Sequence, residues 1–74
     1  MDIQLKIGKR IKELREKKKL SQEKLAAEAG LDRTYVNSVE NGKRNISIVN
    51  IEKIVKAFDS SLKEFFTSEI FKEK

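Results

Sequence analysis

Arg33, Thr34, Asn37 and Ser38 are hydrogen-bonding side chains that come to lie on one side of a helix when Val36 and Val39 of the same stretch turn inward. Polar groups at that spacing, near a helix N-terminus, can read base edges in the major groove of a duplex. The guanidinium fork of Arg33 matches the O6/N7 edge of guanine, a pairing that discriminates by about 1–3 kcal/mol. Thr34 can reach a base, a thymine methyl or a phosphate; Asn37 can pair with adenine, and Ser38 with a base or a phosphate. A solvated helix face carries the same residue types, so the set takes its meaning from its surroundings. Gln22 lies where a neighbouring helix begins, and the free N–H groups and dipole of a helix N-terminus favour an anion.

Other chemistries are poorly served. With no Cys and no His, disulfides, thiolate metal sites and the commonest metal ligand are all missing. Acid–base or nucleophilic work would fall to Lys, Ser or carboxylates, and a 74-residue chain encloses little concave volume in which to desolvate them. The composition therefore predicts a protein that is not an enzyme and needs no cofactor or metal. The N-terminal MDIQLKIGKR interleaves charges with apolar residues, and no unbroken apolar run is long enough to cross a bilayer. Together with the absence of Cys this is compatible with a cytoplasmic protein, bacterial or phage, without a membrane partner. The net charge of +5 is lopsided: residues 1–24 hold nine Lys/Arg against four Asp/Glu, whereas residues 25–74 hold eight of each. Such asymmetry is the electrostatic footprint of a nucleic-acid binder, although Lys17, Lys18 and Lys19 also suit a solvated helix end.

The elements that must position these groups are punctuated by caps rather than by linkers, since there is no Pro and only Gly8, Gly30 and Gly42 interrupt the chain. Ile3, Ile7, Ile11 and Leu14 recur at helical spacing behind Asp2, which predicts a first helix over about residues 3–18 that buries this stripe and exposes its Lys and Arg. Ser21 caps a second helix with Leu25, Ala26 and Ala29 inward and Gly30 as its left-handed stop, after which Leu31 packs under the turn. Asp32 caps a third helix ending near Asn41-Gly42, and Ser47 opens a fourth with Ile51, Ile54, Val55 and Phe58 inward. Ser61 and Glu64 form a capping-box pattern that opens a fifth helix displaying Leu62, Phe65, Phe66 and Ile70. The fold class expected is all-α: a compact five-helix domain, residues 1–74, with a helix-turn-helix over about 21–41.

Two helices joined by a tight glycine turn are what a helix-turn-helix requires, one crossing the DNA backbone while the other enters the groove. Here Ala26 stands where the helices approach, Gly30 in the turn, and Val36 and Val39 lock the third helix down. With these residues in place, LSQEKLAAEAGLDRTYVNSVENGKRNISIVNIEKI resembles the lambda-repressor-like (Cro/repressor, XRE-type) helix-turn-helix family, over a span from Ile7 to about Phe66. RTY opening the third helix, then ENGKRNIS and a tail ending in EFF, most resembles the controller proteins of restriction-modification systems. The resemblance implies a backbone contact at Gln22 and further phosphate or minor-groove contacts at Tyr35, Asn41, Lys43, Arg44 and Asn45. It also implies a structural ion pair, Arg15 with Glu40, joining the first helix to the end of the third. Tyr35 equally suits a half-buried core position with a wet hydroxyl.

The partners expected are double-stranded DNA and a second copy of the chain, with RNA polymerase a candidate third. One recognition helix covers few base pairs, whereas a two-fold dimer reads two half-sites about 34–36 Å apart. The tail carries more apolar surface than a small monomer needs, because the Phe65-Phe66 pair cannot point both rings at one small core. A dimerisation region is therefore expected over about residues 46–71, drawing on Ile46, Ile48, Val49, Leu62, Phe66 and Ile70. Among rival classes, a membrane-surface helix would need the stripe that covers the core, and a single-stranded RNA module would need stacking aromatics, whereas Phe58, Phe65 and Phe66 fall on core spacing. An antitoxin-type or phage-type repressor with a protein partner is the nearest alternative, but Thr67 to Lys74 leaves little chain to fold on a toxin.

Overall fold

A computed structural model describes residues 2–72 of the chain; the ends of the expected 1–74 unit lie outside the described residues. It contains α1 (Ile3–Lys17), α2 (Gln22–Ala29), α3 (Arg33–Glu40), α4 (Ile48–Ala57) and α5 (Leu62–Phe66), followed by a 3₁₀ turn at Glu69–Phe71, with no strand among the described residues. All five α-helices begin at the caps expected from the sequence. A side-chain oxygen accepts a backbone N–H in each: Asp2 from Leu5, Ser21 from Lys24, Asp32 from Thr34, Ser47 from Asn50 and Ser61 from Glu64. Each such cap is worth about 0.5–2 kcal/mol, which matters for helices this short. The capping box at α5 closes on one side only, since the Glu64 carboxylate accepts from the Ser60 hydroxyl.

The first four helices stop in the same way. A residue in the left-handed region lets the next amide reach back five residues: Leu20 to the Arg15 carbonyl, Leu31 to Ala26, Lys43 to Ser38 and Ser60 to Val55. Gly30 and Gly42 fill that position behind α2 and α3, whereas Lys19 and Asp59, with φ of 58° and 56°, fill it behind α1 and α4. The Asn41-Gly42 stop is thus supplied by Gly42, with Asn41 at φ −89°.

Ile7, Ile11 and Leu14 of α1 pack with Leu25, Ala26, Ala29, Val36, Val39, Ile51, Ile54, Val55, Phe58 and Phe65 in one core. Leu31 packs against its edge. Two expectations need correction. Ile3 continues the α1 stripe but remains 62% exposed, because the stripe outruns the core beneath it. Arg10, expected on the solvent side, is buried. Phe66, read both as lying on core spacing and as one of a pair that cannot both enter the core, follows the second reading: its ring stands edge-on to Phe65 at 5.0 Å and stays 44% exposed.

The burial of Arg10 also explains why α5 ends at Phe66 instead of running on to Ile70. Arg10 Nη2 donates to the Glu64 carbonyl at 2.8 Å and Nε to the Phe65 carbonyl at 2.7 Å, so the acceptors that Ser68 and Glu69 would use in a longer helix already have a donor, and the Thr67 N–H closes a tighter turn onto the Glu64 carbonyl. Thr67 adds to this by donating its hydroxyl to the Lys63 carbonyl. Ile70 then falls in the 3₁₀ turn, half-buried beside Lys9, Lys12, Glu13 and Glu16 on the outer side of α1.

Candidate nucleic-acid interface

The helix α3 is seated on α1 by a backbone contact that only glycine permits. A Cβ at Gly8 would stand 2.7 Å from the Glu40 carbonyl oxygen and collide with that of Val39 as well. A glycine inside a helix costs about 0.5–1 kcal/mol relative to alanine, and its place on the same buried stripe as Ile7 and Ile11 is the sequence signal that could have marked this crossing.

Beside that crossing, Arg15 Nε lies 2.7 Å from Glu40 Oε2 and Nη2 lies 3.1 Å from Oε1, while Nη1 donates to the Leu20 carbonyl at 2.9 Å. The pair thus ties α1 to the end of α3 and to the turn before α2. The hydrogen bond to Glu40 raises the pKa of Arg15 above its ordinary value, against the opposing effect of burial. The sign of that shift makes the stabilisation fully present below the unfolded pKa and lost only beyond it in strong alkali. Among the described residues, no buried side-chain nitrogen or oxygen lacks a partner.

Glu40 has a further partner that sequence reasoning missed: Gln22 Nε2 donates to Glu40 Oε1 at 3.0 Å. Gln22 Oε1 in turn accepts from Asn37 Nδ2 at 3.1 Å, and Asn41 Nδ2 donates to the Asn37 carbonyl at 2.9 Å. Gln22, Arg33, Thr34 and Asn37 line one open recess where the first turns of α2 and α3 meet. Arg33, Thr34 and Asn37 are exposed there, whereas Ser38 is half-buried and lies outside the recess.

The loop after α3 is braced by Tyr35. Its ring is half-buried against the core, the Arg44 guanidinium sits 5.1 Å from its centroid, and its hydroxyl accepts from Asn50 Nδ2 at 3.1 Å. A cation–π contact of this kind is worth about 0.5–1 kcal/mol at an exposed site, enough to bias where Arg44 points. The role of Asn50 had no signal in the sequence beyond its place in the first turn of α4. Lys43 is exposed beside Arg44, while Asn45 lies with Ile3, Ile46 and Phe66 around an apolar recess on another side of the loop.

Of the residues expected at a dimer contact, Ile46 and Phe66 meet at that recess, together with the unforeseen Ile3. Ile48 and Val49 are exposed on the first turn of α4, Ile48 to 77%, and Leu62 is exposed on the same face of α5 as Phe66. The structure does not bring Ile70 into this group. Among the described residues, no group of three His, Cys, Asp or Glu side chains is placed to hold a metal ion, and no helix is long and apolar enough to cross a membrane.

Residues 11–65 match the family described as helix-turn-helix. The chain is 53% identical to the control protein C.MunI of Mycoplasma sp over 73 residues, 97% of each chain. It is 49% identical to the control protein C.BamHI of Bacillus amyloliquefaciens over 57 residues, 76% of this chain and 70% of that one. Among solved structures it is similar to the restriction-modification controller protein C.AhdI of Aeromonas hydrophila, with a TM-score of 0.82 and 52% identity over 85% of this chain and 96% of that one. It is also similar to the controller protein C.Esp1396I, solved as a tetramer in complex with its natural 35 base-pair operator, with a TM-score of 0.82 and 37% identity over 89% and 88% of the two chains. A buried scaffold that seats two helix N-termini around one polar recess, and relatives matched along nearly the whole chain, lead to one assignment: the chain belongs to the helix-turn-helix family and, within it, to the control proteins of restriction-modification systems.

Proposed function

We propose that the chain is a sequence-specific DNA-binding transcription regulator that acts as a homodimer on a palindromic operator and controls a restriction-modification system. The observation that carries this reading is the convergence of Gln22, Arg33, Thr34 and Asn37 on one recess at the start of α3. In this reading Arg33, Thr34 and Asn37 contact bases, with Ser38 at the margin, and Gln22 grips a phosphate. Tyr35, Asn41, Lys43 and Arg44 hold the backbone beyond the end of the recognition helix, and Asn45, which faces the apolar recess, contributes least among the backbone contacts. The dimer forms through Ile46, Ile48, Val49, Leu62 and Phe66. Ile70 contributes least, because it lies against α1. The whole chain works as one unit in the cytoplasm, without catalysis or cofactor, and an operator that abuts a promoter brings RNA polymerase in as a neighbour.

Selection from a random duplex library, followed by titration of the preferred site at several salt concentrations, tests this. The expected result is a two-fold symmetric site and a slope of log K against log salt steeper than about −3, since several phosphates are neutralised per dimer. In the same assay Arg33→Ala should relax one position by about 1–3 kcal/mol. A flat salt titration with no enriched sequence would remove DNA as the ligand.

A further inference from the structure

The hydrogen bonds running from Arg15 to the recognition helix have a direction. Both oxygens of Glu40 are engaged by Arg15, and an ionised carboxylate can only accept. Gln22 must therefore offer Glu40 its Nε2, which leaves Oε1 facing Asn37. That oxygen also only accepts, so Asn37 must present Nδ2 to it, and Asn37 Oδ1 then faces Asn41, whose Nδ2 lies 3.3 Å away. Turning the Asn37 amide over would set oxygen against oxygen at Gln22 and nitrogen against nitrogen at Asn41, losing both side-chain contacts.

From this polarity we infer that Glu40, acting through Gln22, holds the side-chain amide of Asn37 in one orientation, so that Gln22 and Glu40 are positioning residues for base recognition. The inference rests on the DNA-binding reading above. Asn37 is exposed and keeps one N–H and one oxygen lone pair free. Adenine presents an acceptor at N7 beside a donor at N6 in the major groove, and other bases present different orders. An amide free to turn over can match a donor or an acceptor at either place. One held by Gln22 offers its donor and acceptor in a single order, and the range of tolerated bases narrows. The part-buried Arg15–Glu40 pair thereby sets a base preference without touching DNA.

The test compares the wild type with Gln22→Met, Asn37→Ala and the double variant, each taken through selection from a random duplex library and titration of single-base variants of the preferred site. Gln22→Met keeps the Arg15–Glu40 pair and removes the link. Loss of the phosphate contact should weaken every site alike, and discrimination at one base pair should fall in addition by at least about fivefold, the lower end of the roughly five- to hundredfold range of a good contact. That base pair should be the one whose preference Asn37→Ala abolishes, and in the Asn37→Ala background Gln22→Met should flatten nothing more. Uniform weakening by Gln22→Met with wild-type preferences intact would overturn the relay while leaving the DNA reading in place. An Asn37→Ala variant with every preference intact would do the same. A wild type that enriches no sequence would overturn both. Independently of DNA and of any variant, the Asn37 side-chain amide protons of the wild type should show NMR cross-relaxation to the Gln22 side chain, and its absence counts against the relay.

Discussion

The polar junction of α2 and α3 and the apolar residues exposed on α4 and α5 both present groups at the surface, but they are finished to different degrees. At the junction, Arg15, Glu40, Gln22, Asn37 and Asn41 are joined by hydrogen bonds within one chain. On α4 and α5, Ile48, Val49, Leu62 and Phe66 remain open to water. The difference follows from what each kind of surface requires. Directional contacts must be in place before a ligand arrives if they are to discriminate, whereas apolar burial needs only a second surface. One side is therefore assembled by folding alone, and the other is left for a second copy under the proposed function.

The contrast is broken most severely at Glu40. Glu40→Ala leaves the largely buried Arg15 guanidinium without its partner and frees Gln22, so a loss of about 3–5 kcal/mol is expected in urea unfolding. An apolar replacement of both partners should cost far less, since the penalty comes from the orphaned charge. On the other side, Phe66→Glu should leave the fold standing, because the ring is already 44% exposed, and act on association instead. About 2 kcal/mol or more of dimer stability should disappear, and sedimentation at micromolar concentration should show monomer where the wild type shows dimer. A variant that unfolds, or one that stays dimeric, would mean Phe66 has been placed on the wrong side of this comparison.

Gly8→Ala sharpens the point that the junction depends on a backbone contact as well as on side chains. Its added methyl meets the Val39 and Glu40 carbonyls, so thermal unfolding should show a loss of about 1–3 kcal/mol, despite the better helix propensity of alanine. The smallest effect is expected at the left-handed residue that ends α1. Lys19 sits at φ 58° behind α1, and Lys19→Gly should stabilise the chain by about 0.5–1 kcal/mol, once the entropy glycine adds to the unfolded state is set against the strain it relieves. A destabilised Lys19→Gly would show that its side chain makes a contact worth more than the strain.

Local chemistry was readable from the residues alone. The caps Asp2, Ser21, Asp32, Ser47 and Ser61, the glycine stop at Gly30 and the inward Val36 and Val39 all act within a few residues of themselves, and each is found where its type and spacing place it. The outward Arg33, Thr34 and Asn37 follow from the same 3.6-residue period. What the residues did not disclose depends on partners far along the chain. Arg10 is buried because the carbonyls of Glu64 and Phe65, more than fifty positions later, end against it. Ile3 belongs to the stripe of α1 by period, yet nothing in the period says where the core beneath that stripe ends. The joining of Gln22 to Glu40 and the crossing at Gly8 were likewise settled by how the helices pack. Capping and periodicity are short-range energies and can be read one segment at a time, whereas burial and long-range hydrogen bonds exist only once separate segments have been brought together.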